Sequence, residues 1–223
     1  MGLTRVQRNT IAVLLCCVTS TVMADNGNID KPLWSFEFKG GRYHPVIDGY
    51  SDYFGRNRAD ELSFALARKV FRVFEAGVEV GRVHDKGVGG LPLNAEKGGP
   101  ITTGGTVTYD LYPVHAYLTV RGVFYENQWV VPYIGGGLTR EYYQQRIVGQ
   151  STAKGHASGS HTRAGLQFLL DRLSGGDAAN LQSSFGIDNT YLFIEQQTIK
   201  AEVKSVNIDL GGKVYLLGLL FEF

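Results

Sequence analysis

Apolar and polar residues alternate with period two along most of the chain. Phe74, Ala76, Val78 and Val80 interleave with Glu75, Gly77, Glu79 and Gly81, and Trp34, Phe36 and Phe38 with Ser35, Glu37 and Lys39. Tyr112, Val114, Ala116, Leu118 and Val120 alternate with His115, Tyr117, Thr119 and Arg121, and Thr162 to Leu170 repeats the rhythm against His161, Arg163 and Gln167. Successive side chains of a strand point to opposite faces, so this spacing predicts strands with one apolar and one wet face. Eight are predicted, over 33–40, 60–71, 74–83, 107–123, 130–146, 161–172, 188–199 and 203–223. Even numbers are the rule for single-chain bacterial membrane barrels.

The connections sort into two kinds. Gly40–Asp60, His84–Thr106 and Ile147–Ser160 are long, Gly-rich and polar, Ala201–Glu202 is a shorter member of the same side, and Arg72–Val73 and Tyr125–Asn127 are tight. Long outside and short inside is the asymmetry of outer-membrane barrels whose N-terminus is periplasmic. Ser174–Gly186 is long where a short turn is expected, and Asp177 to Gln182 reads as a capped helical turn. The fold class is therefore all-β: an eight-stranded antiparallel up-and-down transmembrane β-barrel with a short periplasmic turn helix.

Alternation alone does not say which face points inward, and a soluble lipocalin-type barrel would place its apolar face inside. Three features favour the membrane form. Tyr215, Leu217, Leu219, Phe221 and Phe223 are apolar at every second position, a row that resembles the outer-membrane insertion signal. Glu37, Lys39, Lys69, Glu75, Glu79, Arg121, Arg163, Glu195, Asp209 and Lys213 fall mainly on the weaker face, with nearly balanced sign, as a lumen network that also takes in His115. In lipid such charges would be costly. Trp34, Tyr112, Tyr125, Trp129, Tyr133, Tyr142 and Tyr143 lie near strand ends, where Tyr and Trp form interfacial girdles. One discrepancy remains: Val206, Ile208 and Leu210 are apolar on even positions and Tyr215 onward on odd ones. A β-bulge at Gly211-Gly212 would restore the phase and is predicted there.

Composition agrees, with 29 Gly, 12 Tyr and 12 Phe and no apolar run after the N-terminal segment long enough for a membrane helix. Arg5 and Arg8, the apolar run Ile11–Val18, and Val22-Met23-Ala24 read as a signal peptide over residues 1–24, leaving 25–223 as the barrel domain. A lipoprotein signal would need a small residue where Leu15 and Cys16 stand. Cys16 and Cys17 leave with the signal peptide, so no disulfide or thiol-ligated metal is expected. The net charge of +1 points to no nucleic-acid partner. Expected partners are outer-membrane lipids and lipopolysaccharide, with the outer-membrane assembly machinery and periplasmic chaperones during biogenesis. A monomer without cofactor is expected, in the outer membrane of a Gram-negative bacterium.

Candidate chemistry is sparse. His156-Ala157-Ser158 is an H-x-S pattern that resembles that of lipid A deacylases, which implies Ser158 as nucleophile, His156 as base and an acidic residue such as Asp171 to orient the imidazole. The Gly/Ser-rich surroundings read more simply as a surface loop. Asp48, Asp52 and Asp85 lack the spacing of a calcium loop, so no metal is expected. Gly135-Gly136-Gly137 sits inside a strand and forms no phosphate cradle.

Trp34–Gly41 (WSFEFKGG), Val131–Gly135 (VPYIG) and Gly186–Glu195 (GIDNTYLFIE) resemble a family of small proteobacterial outer-membrane β-barrels without established activity. More distantly the architecture is similar to the OmpX, OmpW and OmpA-barrel group. The resemblance implies location and topology, since one fold hosts many tasks. The expected role is a non-enzymatic structural or surface-binding barrel displaying its loops. The alternatives are an envelope-lipid hydrolase and a narrow channel for a small hydrophobic compound.

Overall fold

A computed structural model describes residues 33–47, 49–70, 73–88, 106–125, 127–149, 152–204 and 208–223. The expected signal peptide, Asp48 and Val206 lie outside them. The strands are β1 (Trp34–Pro45), β2 (Ala59–Val70), β3 (Phe74–Gly87), β4 (Val107–Arg121), β5 (Val130–Ile147), β6 (Ala153–Leu169), β7 (Asn189–Val203), β8 (Ile208–Asp209) and β9 (Gly212–Glu222). β1 to β7 each pair antiparallel with the next strand in sequence, β8 pairs with β7, and β9 pairs with both β7 and β1. β8 and β9 are two pieces of one stave, so the sheet closes as an eight-stranded up-and-down barrel. Closure leaves no edge with unpaired backbone groups.

The outward face is apolar over a continuous band. Leu118, Ile134 and Leu138 are 68%, 64% and 72% exposed, far beyond what a water-facing sheet tolerates in a contiguous patch. On β4 the outward run from Tyr112 to Val120 has the length of a tilted membrane-crossing strand, about 9–11 residues. Trp34, Trp129 and Tyr125 mark one end of the band, and Tyr112, Tyr142 and Tyr215 the other. Tyr133 and Tyr143, expected in the girdle, are instead 5% and 8% exposed and point inward. They occupy odd positions of β5, the phase opposite to Tyr142.

Four further expectations are corrected. The Gly/Ser-rich stretch read as a loop to Ser160 is strand from Ala153, because β5 pairs with it throughout and β7 joins on the other side from Ser158. β7 likewise runs through Ala201–Glu202 to Val203. The bulge is absent: Glu202↔Asp209, Ala201 with Leu210 and Ile199↔Gly212 keep one unbroken register. The phase change is real but needs no inserted residue, because Leu210 and Val214 belong to the inside, which is apolar at this level. Asp209 Oδ1 accepts from the amides of Ala201 and Gly211 and holds the break between β8 and β9. Asp209 and Lys213 therefore lie on the outward phase, not in the lumen.

The end bearing tight turns also carries α2 (Gly175–Phe185), the helix expected after Ser174. The Ser174 hydroxyl donates to Asp177 at 2.6 Å, and Gly186 ends the helix at φ 69°. α1 (Tyr50–Phe54) sits in the first long connection at the other end and has no counterpart in the expected elements.

Candidate functional site

Inward positions build three levels. In the middle, Lys39 on β1 donates to Glu37 (3.1 Å), Glu79 (2.6 Å) and Glu195 (2.9 Å), reaching β3 and β7 across the lumen. Arg163 on β6 donates to Glu37 at 2.8 Å and to Glu195 Oε2 at 2.6 Å, and the Tyr133 hydroxyl donates to the same Glu195 oxygen at 2.7 Å. The Arg163 guanidinium lies 4.3 Å from the Tyr117 ring centre. Burying an ion costs several kcal/mol, and only multiple short hydrogen bonds from opposite charges offset that. This arrangement supplies them.

Toward the tight-turn end, Arg121 on β4 bonds Glu75 at 3.1 Å and Glu222 at 2.5 Å, and Lys69 also pairs with Glu222. β4 and β9 are diametrically opposite staves, so the Arg121–Glu222 pair crosses the full lumen. Toward the long-loop end the interior turns apolar. Tyr43, Tyr109, Leu111, Tyr143, Ile199, Leu210 and Val214 form one buried cluster, and Tyr50 and Phe54 of α1 join it from above. The rings of Tyr50 and Phe54 stack at 4.5 Å, the Tyr50 hydroxyl donates to Asp85 at 2.7 Å, and Arg56 pairs with the same carboxylate. Burial pushes the Tyr50 phenol far above its ordinary value, and the Asp85 bond adds to this, so it stays a donor at any working pH. Asp85→Asn removes a charged acceptor worth about 1.5–3 kcal/mol. It is expected to raise amide exchange across Tyr50–Phe54 by roughly tenfold or more while β-strand protection stays unchanged.

Glu37, Lys39, Glu75, Glu79, His115, Arg121, Arg163 and Glu195 all point into the barrel and are nearly inaccessible. Sequence reasoning missed Glu61, Glu141 and Glu222, although each sits on the inward phase of its strand, and it set His161 on the polar face without including it in the lumen network. With them the inner charge is not balanced. Among the described residues, seven glutamates (Glu37, Glu61, Glu75, Glu79, Glu141, Glu195, Glu222) line the lumen and Asp85 its mouth, against four inward cations (Lys39, Lys69, Arg121, Arg163). His115 and His161 stack at 4.3 Å between ring centres, His115 lies 3.4 Å from Glu141, and neither nitrogen of His161 has a hydrogen-bond partner among the described residues. No group of three or more His, Cys, Asp or Glu among the described residues could hold a metal ion.

The candidate hydrolytic residues are not brought together. His156 and Ser158 share the outward phase of β6, and His156 packs on Tyr142 at 6.2 Å. Asp171 lies past the opposite end of that strand, which rises about 3.3 Å per residue, and accepts the Thr190 amide at 3.1 Å. The residue opposite Ser158 on β7 is Glu202, and no hydrogen bond joins His156, Ser158 and Glu202 among the described residues. Tyr215, Leu217, Leu219 and Phe221 face outward in one row on β9, and the Phe223 backbone closes on Trp34.

No family model and no curated protein matches the chain. Solved structures match in shape. The outer membrane protein OprG of Pseudomonas aeruginosa superposes with a TM-score of 0.56 at 10% identity, covering 86% of this chain and 97% of its own. Ail, the attachment invasion locus protein of Yersinia pestis, gives 0.50 at 13% identity over 86% of this chain and 99% of its own. Ail in complex with the heparin analogue sucrose octasulfate gives 0.51 at 12% over the same shares. At these identities the likeness establishes the fold, that of small outer-membrane β-barrels, and no more.

Proposed function

We propose that this chain is an exported outer-membrane barrel without enzymatic activity, which acts through its outer wall and long-loop end and not as an open pore. The observation that carries the reading is the filled interior beneath an apolar exterior. Arg121–Glu222, Lys39–Glu79 and Arg163–Glu37 bridge separate staves, and the Tyr43–Tyr109–Leu210 cluster occupies the mouth. An eight-stranded barrel is only wide enough to be filled by such side chains.

The test combines fractionation with conductance. The folded protein is expected in the outer-membrane fraction, running compact in SDS until boiled, and planar bilayers holding it should show no stepwise current. A soluble periplasmic protein with one mobility before and after boiling would overturn the location. Steady unitary conductance would favour the narrow-channel alternative instead. Lipid A isolated from cells carrying Ser158→Ala should have an unchanged acylation pattern, and a changed pattern would restore the hydrolase reading.

A further inference from the structure

The charges on the outer wall are unevenly placed. Across β3 to β6 the outward positions nearest the tight turns are apolar, from Phe74 and Val120 to Ile134 and Leu166. Near the long loops the outward positions of the same strands carry Arg82, Lys86, Arg140, Arg146 and Lys154, with His84 and His156 among them. A single outward carboxylate, Asp110, answers them among the described residues of these strands. On the opposite wall Arg42, Lys200 and Lys213 are matched by Asp60, Glu202 and Asp209.

Asp110 is spent on holding cations. Its side chain is 1% exposed although it points away from the lumen, because Arg82 (2.9 Å), His84 (2.8 Å) and Arg146 (3.0 Å) close over it. Each guanidinium uses one terminal nitrogen on this carboxylate and remains more than half exposed, 57% for Arg82 and 56% for Arg146. An arginine has five N–H donors in a planar fork, so most stay available for a planar or tetrahedral oxyanion. The register fixes depth as well. Tyr112, Tyr142 and His156 lie side by side on β4, β5 and β6, with Arg82 5.9 Å over the Tyr112 ring and Arg140 5.6 Å over Tyr142. Tyrosines at the edge of an apolar band sit at the headgroup level.

We propose that this face of β3–β6 binds the phosphate groups of phosphorylated membrane lipids, with Arg82 and Arg146 preset on Asp110 as the principal ligands and Arg140 and Lys154 at its margin. The inference rests on the outer-membrane reading above, since it places this patch at the outer headgroup layer. A basic cluster beside a lipid acyl layer meets phosphates held at fixed depth, and a preorganised cation pair recognises them without first ordering its own side chains.

The test uses the full folded protein in phosphatidylcholine nanodiscs with labelled bis-phosphorylated lipid A as probe. Arg82→Gln with Arg146→Gln is combined with Asp110→Asn, which avoids leaving a buried carboxylate unpaired. Binding by this triple variant is expected to fall at least tenfold, and wild-type protein should discriminate equally against dephosphorylated lipid A. Lys200→Gln with Lys213→Gln on the balanced wall should bind like wild type. If the triple variant fails to give the heat-modifiable band, Arg140→Gln with Lys154→Gln replaces it, with a loss of at least threefold expected. Equal binding by the folded patch variants, or no preference for the phosphorylated lipid, would overturn the proposal. Displacement by millimolar inorganic phosphate would assign the site to the free ion and overturn the lipid assignment. Absence of a heat-modifiable band for the wild-type protein would count against the outer-membrane reading itself, a separate result.

Discussion

Arg163→Met is expected to destabilise the barrel by about 3–5 kcal/mol, the usual cost of removing one partner from a buried ion network. Arg163 is 1% exposed and holds Glu37 and Glu195 on two other staves. Its removal leaves Lys39 as the sole cation among the described residues bonded to Glu37, Glu79 and Glu195, in a lumen already rich in carboxylate. Arg163→Lys keeps the charge but loses the planar fork and the stacking on Tyr117, so its loss should be smaller, about 1–3 kcal/mol. The measurement is urea unfolding of vesicle-inserted protein followed by tryptophan emission. Trp34 and Trp129, the two tryptophans of the chain, both sit at the tight-turn end of the apolar band. An Arg163→Met midpoint equal to wild type would show that the network is not what holds the staves together.

Gly165→Val is expected to be as damaging by a different route, about 3 kcal/mol or more, because it overpacks a site that cannot yield. A Cβ at Gly165 would collide with the Ile194 carbonyl of β7 and stand 2.6 Å from both Cζ and the hydroxyl oxygen of Tyr133. The carbonyl belongs to the neighbouring stave and the ring cannot move without releasing Glu195. The pattern recurs: Gly77 lies under the Tyr117 ring and Gly218 under Phe193, each with ring atoms 2.6 Å from a Cβ. Small residues inside thus make room for large flat ones on the next strand. The compact, boil-sensitive band should be lost or much reduced for Gly165→Val. Gly176→Ala in α2, where nothing lies within 4 Å, should leave it intact. Equal mobility of the two variants would remove the packing argument.

Much of the barrel was legible because a strand has period two and a barrel wall separates two media. The alternation in Phe74–Gly81 and Tyr112–Arg121 assigned outward and inward residues correctly. It also placed Glu37, Lys39, Glu79, Arg163 and Glu195 on the inward face where they meet. The same rule misled wherever the inside is itself apolar. Tyr133, Tyr143, Leu210 and Val214 are inward and hydrophobic, so an apolar residue there carried no sign of which medium it faced. The expected bulge at Gly211-Gly212 came from that ambiguity. The strand character of Ala153–Ser160 was hidden as well, since Gly, Ser and His have little intrinsic strand preference and are held there by pairing with β5, joined by β7 only from Ser158.

The sequence by itself determined the number of staves and their up-and-down order, through local alternation and turn spacing, and the apolar exterior, through the C-terminal row Tyr215–Phe223 and the charges gathered on the other face. Tertiary structure decided which charges become partners and how the mouth is filled. Arg121 and Glu222 are bonded although the chain between them runs half-way round the barrel through β5, β6 and β7, and Asp110 is buried only because Arg82, His84 and Arg146 converge on it from neighbouring strands. Periodicity fixes the face a side chain points to. Closure of the sheet fixes what it meets there.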